Sequence, residues 1–106
     1  MNKNKYKIGQ KIKEIRKKTG TTQEIFSERI NIEPSSLSNI ENGKSYPSMQ
    51  TVLKIMEEFN ITPDNFFDFE YLTSAEDLEK KIIDIVKKQP LDRKKIMYKI
   101  IKQFDI

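Results

Sequence analysis

Residues 23 to 42 constrain the fold more than any other stretch, because they read as two short helices joined by a tight turn. Apolar side chains recur there at helical spacing: Phe26, Ile30, Ile32, Leu37 and Ile40. Ser27 is small enough to let a second helix cross close by. Asn31 tolerates the left-handed backbone that ends a helix, and Pro34 suits a first helical position. The pattern predicts a helix, a turn and a second helix over about 34 to 42.

The stretch QEIFSERINIEPSSLSNIENGKSYPS resembles the helix-turn-helix of the lambda-repressor/Cro-like family, also called the XRE family. The resemblance covers roughly residues 6 to 69, and its most specific parts are Thr22-Gln23-Glu24, Ile40-Glu41-Asn42-Gly43 and Pro47-Ser48. Asn31 departs from the usual Gly, which leaves the fold intact. Pro34 stands where a hydrogen-bonding side chain is common, so one possible base contact is removed. The resemblance implies a five-helix DNA-binding domain.

Composition excludes several classes of protein. The 106 residues include no Cys and no His, so there is no thiolate metal site and the commonest general base is missing. No apolar run is long enough to span a membrane, and the N-terminus lacks the apolar core of a signal peptide. We expect a cytoplasmic protein that is not an enzyme, with no cofactor and no metal. Its richness in Lys, Ile and Asn suggests a bacterial source.

Positive charge is concentrated at the start of the chain. The first 18 residues hold eight cationic side chains and one acidic one, a net charge of +7. Beside a helix-turn-helix, such a stripe would favour the phosphate backbone of a nucleic acid. The alternative is a solvated helix face.

The rest of the chain predicts an all-α protein: a five-helix lambda-repressor-like domain at 1–69, a linker at 70–74 and a two-helix hairpin at 75–106. The first helix, 6 to 18, buries Ile8, Ile12 and Ile15 and ends at Gly20. We expect Thr21 or Thr22, Ser48, Thr62, Ser74 and Asp92 to cap the later helices. The fourth helix has a broad apolar face: Val52, Leu53, Ile55, Met56 and Phe59. Core packing is the expected role of Phe66, Phe67 and Phe69, in preference to a ligand pocket.

The candidates for contact with DNA bases are Asn39, Ser35, Ser38, Glu33 and Pro34. Because Leu37 and Ile40 face inward, Ser35, Ser38 and Asn39 face outward. Ser35 and Asn39 lie one turn of helix apart, with Ser38 beside them. Asn can bond adenine at both N6 and N7, and Ser can donate or accept. Glu33 could accept from a cytosine amino group or only cap the turn, and Pro34 could touch a thymine methyl.

A second set of side chains is predicted to contact the DNA backbone: Thr22, Gln23, Ser36, Asn42, Lys44, Ser45 and Tyr46. Gln23 could donate to a phosphate from the start of its helix, or be a plain helix-start residue. The resemblance places the loop 42–47 on the phosphates. It also implies an ion pair between Arg16 and Glu41, where two unrelated surface charges are the alternative.

The hairpin carries two apolar stripes and too little core to stand alone. We expect the stripes to pair with those of a second subunit, through Leu78, Ile82, Ile85, Val86, Ile96, Ile100 and Phe104. Packing on the chain's own DNA-binding domain is the alternative. The region is weakly similar to the helical hairpin of the bacterial biofilm master repressors.

These features favour a homodimeric regulator of transcription, and specifically a repressor. A two-fold dimer would read an inverted repeat in double-stranded DNA, with half-sites roughly 34 Å apart. The competing interpretation is a protein-binding module: an antitoxin that masks a toxin, or a regulator whose hairpin is captured by a small antagonist protein.

Overall fold

The structure is a computed structural model that describes residues 3–105, and within that range every regular element is a helix. The helices are α1 (Lys3–Thr19), α2 (Gln23–Arg29), α3 (Pro34–Glu41), α4 (Met49–Glu58), α5 (Pro63–Phe66), α6 (Ala75–Lys87) and α7 (Leu91–Lys102). The all-α prediction is confirmed. Residues 1, 2 and 106 fall inside the predicted domain boundaries but lie outside the described residues.

The helix ends follow local chemistry. Left-handed backbone occurs at Asn31 (φ 63°), as predicted, and also at Gly20 (φ 72°), where the first helix was predicted to end, and at Gly43 (φ 73°). Side-chain oxygens accept from the first turn of α2, α4 and α6 at Thr22, Ser48 and Ser74. Thr22 is thus the cap of α2, in preference to Thr21. The predicted cap at Asp92 is wrong, because α7 begins at Leu91 and its N-cap is Pro90.

One core lies inside the first five helices. Its fully buried members are Ile12, Phe26, Leu37, Ile55 and Phe66. The ring of Phe59 stacks on that of Phe26, with the centroids 4.9 Å apart. The apolar stripes predicted for α1, α2 and α3 therefore all pack into one hydrophobic core.

Two predicted core residues lie outside it. Leu53 is 54% exposed, because the apolar face of α4 is wider than the part of it that packs on the core, where Val52 and Ile55 are buried. Phe67 is 48% exposed. Because α5 has only four residues, it directs one of the two neighbouring rings, that of Phe66, into the core. The Phe67 ring packs edge-on against the Phe66 ring from outside, with the centroids 5.0 Å apart.

The chain forms two compact units, the first ending at Leu72 and the second beginning at Thr73. Residues 70–72, predicted as linker, therefore belong to the first unit. The second unit consists of α6 and α7, and none of its described residues is buried. Of the seven predicted dimerisation residues, Leu78 and Val86 are half-buried; the exposed ones are Ile82, Ile85, Ile96, Ile100 and Phe104.

Candidate nucleic-acid interface

The turn between α2 and α3 is built by the small and left-handed residues that the sequence marks. Ser27 is buried, and its Oγ donates to the carbonyl of Glu24 at 2.9 Å. Its own carbonyl accepts from the N–H of Ile32 at 2.9 Å, just after the left-handed Asn31. These bonds close the end of α2 and direct the chain into α3.

Close packing against α1 fixes the far end of α3. Gly9, in the middle of α1, is buried against the backbone of Ile40 and Glu41, and a Cβ on Gly9 would collide with the Ile40 carbonyl. The amide of Gln10 donates to the Glu41 carbonyl at 3.1 Å. Sequence reasoning missed both residues. A glycine inside an otherwise amphipathic helix was the available signal.

Arg16 and Glu41 form a buried ion pair. Nε of Arg16 lies 2.8 Å from Oε2 of Glu41, and Nη2 lies 3.0 Å from Oε1. The Glu41 side chain is 2% exposed and that of Arg16 is 13% exposed. The hydrogen bonds to Glu41 raise the pKa of Arg16 against the opposing effect of burial. This bidentate contact ties the last residue of α3 to α1.

Gln23 completes the same cluster. Its Nε2 donates to Oε1 of Glu41 at 3.0 Å, so the amide predicted for a phosphate also links the start of α2 to the end of α3. This bond to Glu41 is a third role, which the sequence did not predict beside the phosphate contact and the plain helix start. The second amide hydrogen is the only one left for a phosphate.

The outer face of α3 presents short polar side chains. Ser35, Ser36 and Asn39 are exposed and Ser38 is half-buried, while Leu37 and Ile40 lie in the core. Pro34 is exposed in the first turn. Glu33 is the N-cap residue, but its side chain makes no capping hydrogen bond, so the capping alternative does not account for it.

The loop after α3 lies beside this face. Gly43 is buried, and a Cβ there would come within 3.3 Å of the Cα of Tyr6. The N–H of Lys44 donates to the Asn39 carbonyl at 2.9 Å, and Asn42 reaches the Oγ of Ser38 at 3.4 Å. These contacts hold the loop against α3 and α1.

One open, mostly polar groove of about 570 Å³ brings together candidates of both kinds: Glu33, Ser36, Asn39, Ser45 and Tyr46. Other candidates lie outside its lining: Thr22, Gln23, Pro34, Ser35, Ser38, Asn42 and Lys44. The Nζ of Lys5 lies 5.3 Å from the centre of the Tyr46 ring, which joins the start of α1 to the same rim.

Much of the predicted basic stripe is engaged within the protein. Lys7 pairs with Glu70 at 3.0 Å, Lys18 with Glu14 at 3.3 Å, and Arg16 with Glu41. Lys11 is buried and bonded to Tyr71. At least five of the eight cations counted in the sequence therefore contact other residues of the protein, since Lys5 also lies over the Tyr46 ring. The helix α1 consequently offers a DNA backbone less positive charge than its composition suggests.

The arrangement defines a class of protein. A short helix follows a tight turn, is fixed at its far end by a buried ion pair, and exposes small polar side chains beside a polar loop. Two helices joined by such a turn form a helix-turn-helix, and proteins of this class place the second helix in the major groove.

Comparison with known proteins agrees with that assignment. The family model described as "Helix-turn-helix domain" matches residues 9–76. The chain belongs to this helix-turn-helix family, which agrees with the XRE-family resemblance in the sequence. The family is one of helix-turn-helix proteins and not of enzymes, which agrees with the prediction that the chain is not an enzyme.

Named relatives show how far the similarity extends. The chain is 34% identical over 74 residues to the HTH-type transcriptional regulator ImmR of Bacillus subtilis (strain 168), covering 70% of this chain and 54% of the relative. It is 38% identical over 68 residues to control protein C.MunI of a Mycoplasma species, covering 63% and 92%. It is 27% identical over 74 residues to the HTH-type transcriptional activator BcrR of Enterococcus faecalis, covering 70% and 36%.

The chain thus spans about half of ImmR and about a third of BcrR. No solved structure gives a significant match. Within residues 3–105, no helix combines the length and apolar character needed to cross a membrane.

Proposed function

We propose that the protein is a homodimeric repressor that reads an inverted-repeat operator through α3, with Asn39 as the principal base-reading side chain. The observation that supports this most directly is the groove in which Asn39 and Ser36 of α3 meet Ser45 and Tyr46 of the following loop. A loop that contacts phosphates fixes the position of the protein on the duplex, and a recognition helix beside it can then contact the bases.

The division of labour follows from side-chain chemistry. Asn39 would bond adenine in two places, and Ser35 and Ser38 would add single bonds to neighbouring bases. Lys44, Ser45 and Tyr46 would hold the sugar-phosphate backbone and set the register without reading sequence. Because few side chains on α3 are long, DNA shape would contribute much of the remaining specificity.

The hairpin supports the dimer. Ile96 and Ile100 of α7, and Phe104 just after its end, recur at four-residue steps and are 58%, 54% and 81% exposed. Apolar side chains exposed in a row on one helix face are typical of a surface that another helix covers. A second copy of the hairpin would cover it and would place two α3 helices on one duplex.

Repression follows from occupancy. A dimer bound over a promoter excludes polymerase without any further activity. Such a regulator would act in the cytoplasm, where bacterial DNA lies.

The test is selection of bound duplexes from a random DNA pool with the full chain. The expected product is an inverted repeat whose half-sites lie about one helical turn, roughly 34 Å, apart. A pool that stays unenriched at moderate salt would overturn the proposal. Enrichment of single, unpaired half-sites would overturn the dimer alone. A reporter activated by the protein through the selected operator would overturn repression.

Two matched variants test the dimer surface. Ile100→Asp places a charge in the apolar row of α7, whereas Tyr98→Asp places the same charge two residues away, about 200° around the helix. Sedimentation should give a monomer for Ile100→Asp and a dimer for Tyr98→Asp. Dissociation by neither variant would rule out this row as the interface. Co-purification of the Tyr98 variant, but not the Ile100 variant, with a different protein would favour the antagonist or toxin interpretation.

A further inference from the structure

The first turn of α1 lies directly on the loop that follows α3. Gly43 of that loop is buried with left-handed backbone (φ 73°), and a Cβ added there would lie 3.3 Å from the Cα of Tyr6. The start of α1 is therefore fixed beside residues 43–46, next to the end of the helix proposed to read DNA.

Lys5 extends this contact to Tyr46. Its Nζ lies over the Tyr46 ring, 5.3 Å from the centroid, within the roughly 6 Å at which an aromatic ring attracts a cation. The ring is neutral, so this contact directs the ammonium without cancelling its charge. Tyr46 is 48% exposed and also lines the groove that contains Asn39. Lys5 consequently lies beside that groove.

The groove needs positive charge from its surroundings if a phosphate is to lie along it. Among the described residues that line the groove, Glu28 and Glu33 are acidic and none is basic. The two carboxylates would repel a phosphate, so cationic side chains beside the groove must offset them. Lys44, which precedes Ser45 in the loop, and Lys5, over the Tyr46 ring, are two cations placed to do so.

The dipole of α1 does not account for Lys5. A cation near the start of a helix opposes the dipole, and the first turn of α1 has no acidic side chain to favour that end. Lys7, two residues further on and about 200° around the helix, differs because it pairs with Glu70 at 3.0 Å. The two lysines carry the same charge but have different surroundings, so their roles can be separated.

We propose that Lys5 contacts a phosphate of the DNA backbone beside this groove, and that Tyr46 is a positioning residue whose ring holds the Lys5 ammonium there. The inference rests on the proposed DNA-binding function and adds a backbone contact from α1 to those of the loop. A lysine at a phosphate is a point charge that reads no base, so Lys5 raises the affinity for every sequence alike.

The experiment measures the affinity of the full chain for the selected operator and for random DNA between about 50 and 200 mM salt. Each phosphate contact contributes about 0.9 to the slope of log affinity against log salt. Lys5→Gln should therefore reduce the fall in affinity across this range by about threefold, equally on both DNAs. Lys5→Arg should bind as wild type does, since arginine keeps the charge and packs well on aromatic rings.

Lys7→Gln is the matched control. It removes the same charge from the same helix, but the side chain that is lost is the one paired with Glu70. Its salt dependence should remain that of wild-type protein. Equal flattening in Lys5→Gln and Lys7→Gln would mean that only the net charge of α1 matters, and this would overturn the inference.

Variants of Tyr46 separate the ring from the hydroxyl group. Tyr46→Phe keeps the ring, so adding Lys5→Gln should flatten the salt dependence as much as it does in wild-type protein. Tyr46→Leu removes the ring, and adding Lys5→Gln should then have much less effect. An equal effect of Lys5→Gln with Tyr, Phe and Leu at position 46 would overturn the positioning role of Tyr46. Circular dichroism checks that each variant is folded.

The outcomes distinguish this inference from the function on which it rests. Wild-type protein that binds no duplex would overturn the proposed function and the inference together. Operator binding whose salt slope is the same in wild type and in Lys5→Gln would overturn the inference alone and leave the proposed function in place.

Discussion

Replacing Arg16 by alanine should destabilise the DNA-binding unit by about 2–4 kcal/mol. Arg16 supplies two of the three side-chain hydrogen bonds to the Glu41 carboxylate, and the third comes from Gln23. Glu41 is 2% exposed, so the variant would leave a charge that water hardly reaches. Removing one partner of a buried pair costs about 3–5 kcal/mol. Our estimate for Arg16→Ala lies below that range because the Arg16 side chain is 13% exposed, so water can enter the space that it leaves and solvate Glu41.

The assay is thermal unfolding followed by circular dichroism. For a unit of this size, about 1 kcal/mol moves the melting temperature by about 4–8 °C, so the expected fall is at least about 8 °C. A shift below about 2 °C would refute the reasoning that Glu41 is left with a buried, unpaired charge. Glu58→Ala is the control, because the pair Arg29–Glu58 is 42% and 31% exposed, so its loss should cost no more than about 1 kcal/mol. Arg29 is left in place because its guanidinium also lies over the Phe59 ring, at 4.6 Å.

A double variant separates the lost charge from lost packing. Arg16→Met with Glu41→Leu removes both charges and keeps apolar volume, so it should be more stable than Arg16→Met alone. If the double variant melts at the temperature predicted by adding the two single effects, the two side chains are not coupled.

Three further predictions concern the interface. Asn39→Ala should weaken specific binding by about 1–3 kcal/mol and leave binding to random DNA nearly unchanged in fluorescence anisotropy; an equal loss on both would reject base reading. Lys44→Ala should weaken binding to every sequence and flatten the salt dependence by about one unit, so an unaltered slope would count against a phosphate contact. Gly9→Ala should lower the melting temperature, because the new methyl group meets the Ile40 carbonyl, whereas Gly20→Ala meets no atom and strains only the backbone.

Signals that act within a few residues could be read from the sequence. Thr22, Ser48 and Ser74 cap helices with bonds to residues three positions on, and Asn31 and Gly43 end helices by their own backbone. Each of these is decided locally, so no knowledge of distant segments was needed.

Apart from the cap predicted at Asp92, which was a local error, the features that were missed depend on distant segments. The apolar stripe of α4 predicts which face of the helix can be buried. It does not predict how much of that face a neighbouring segment covers, and Leu53 stays exposed. Composition counts Lys11 as a free cation, but residues 68–71 cover it. The need for glycine at position 9 arises from its close contact with the backbone of α3, more than thirty residues away in the chain.

The base-reading role proposed for α3 would account for the tight fixing of its scaffold. Serine and asparagine side chains are short, so they reach base edges only if the backbone of α3 lies deep in the groove and at a fixed angle. Arg16 of α1 and Gln23 of α2 both donate hydrogen bonds to Glu41, the last residue of α3. Gly9 lets α1 lie close to the backbone of α3. A helix reading DNA with long arginines could tolerate movement, since flexible side chains would compensate. Variants that loosen this cluster without unfolding it should therefore lose specific binding before they lose non-specific binding, because phosphate contacts tolerate displacement better than bidentate base contacts do.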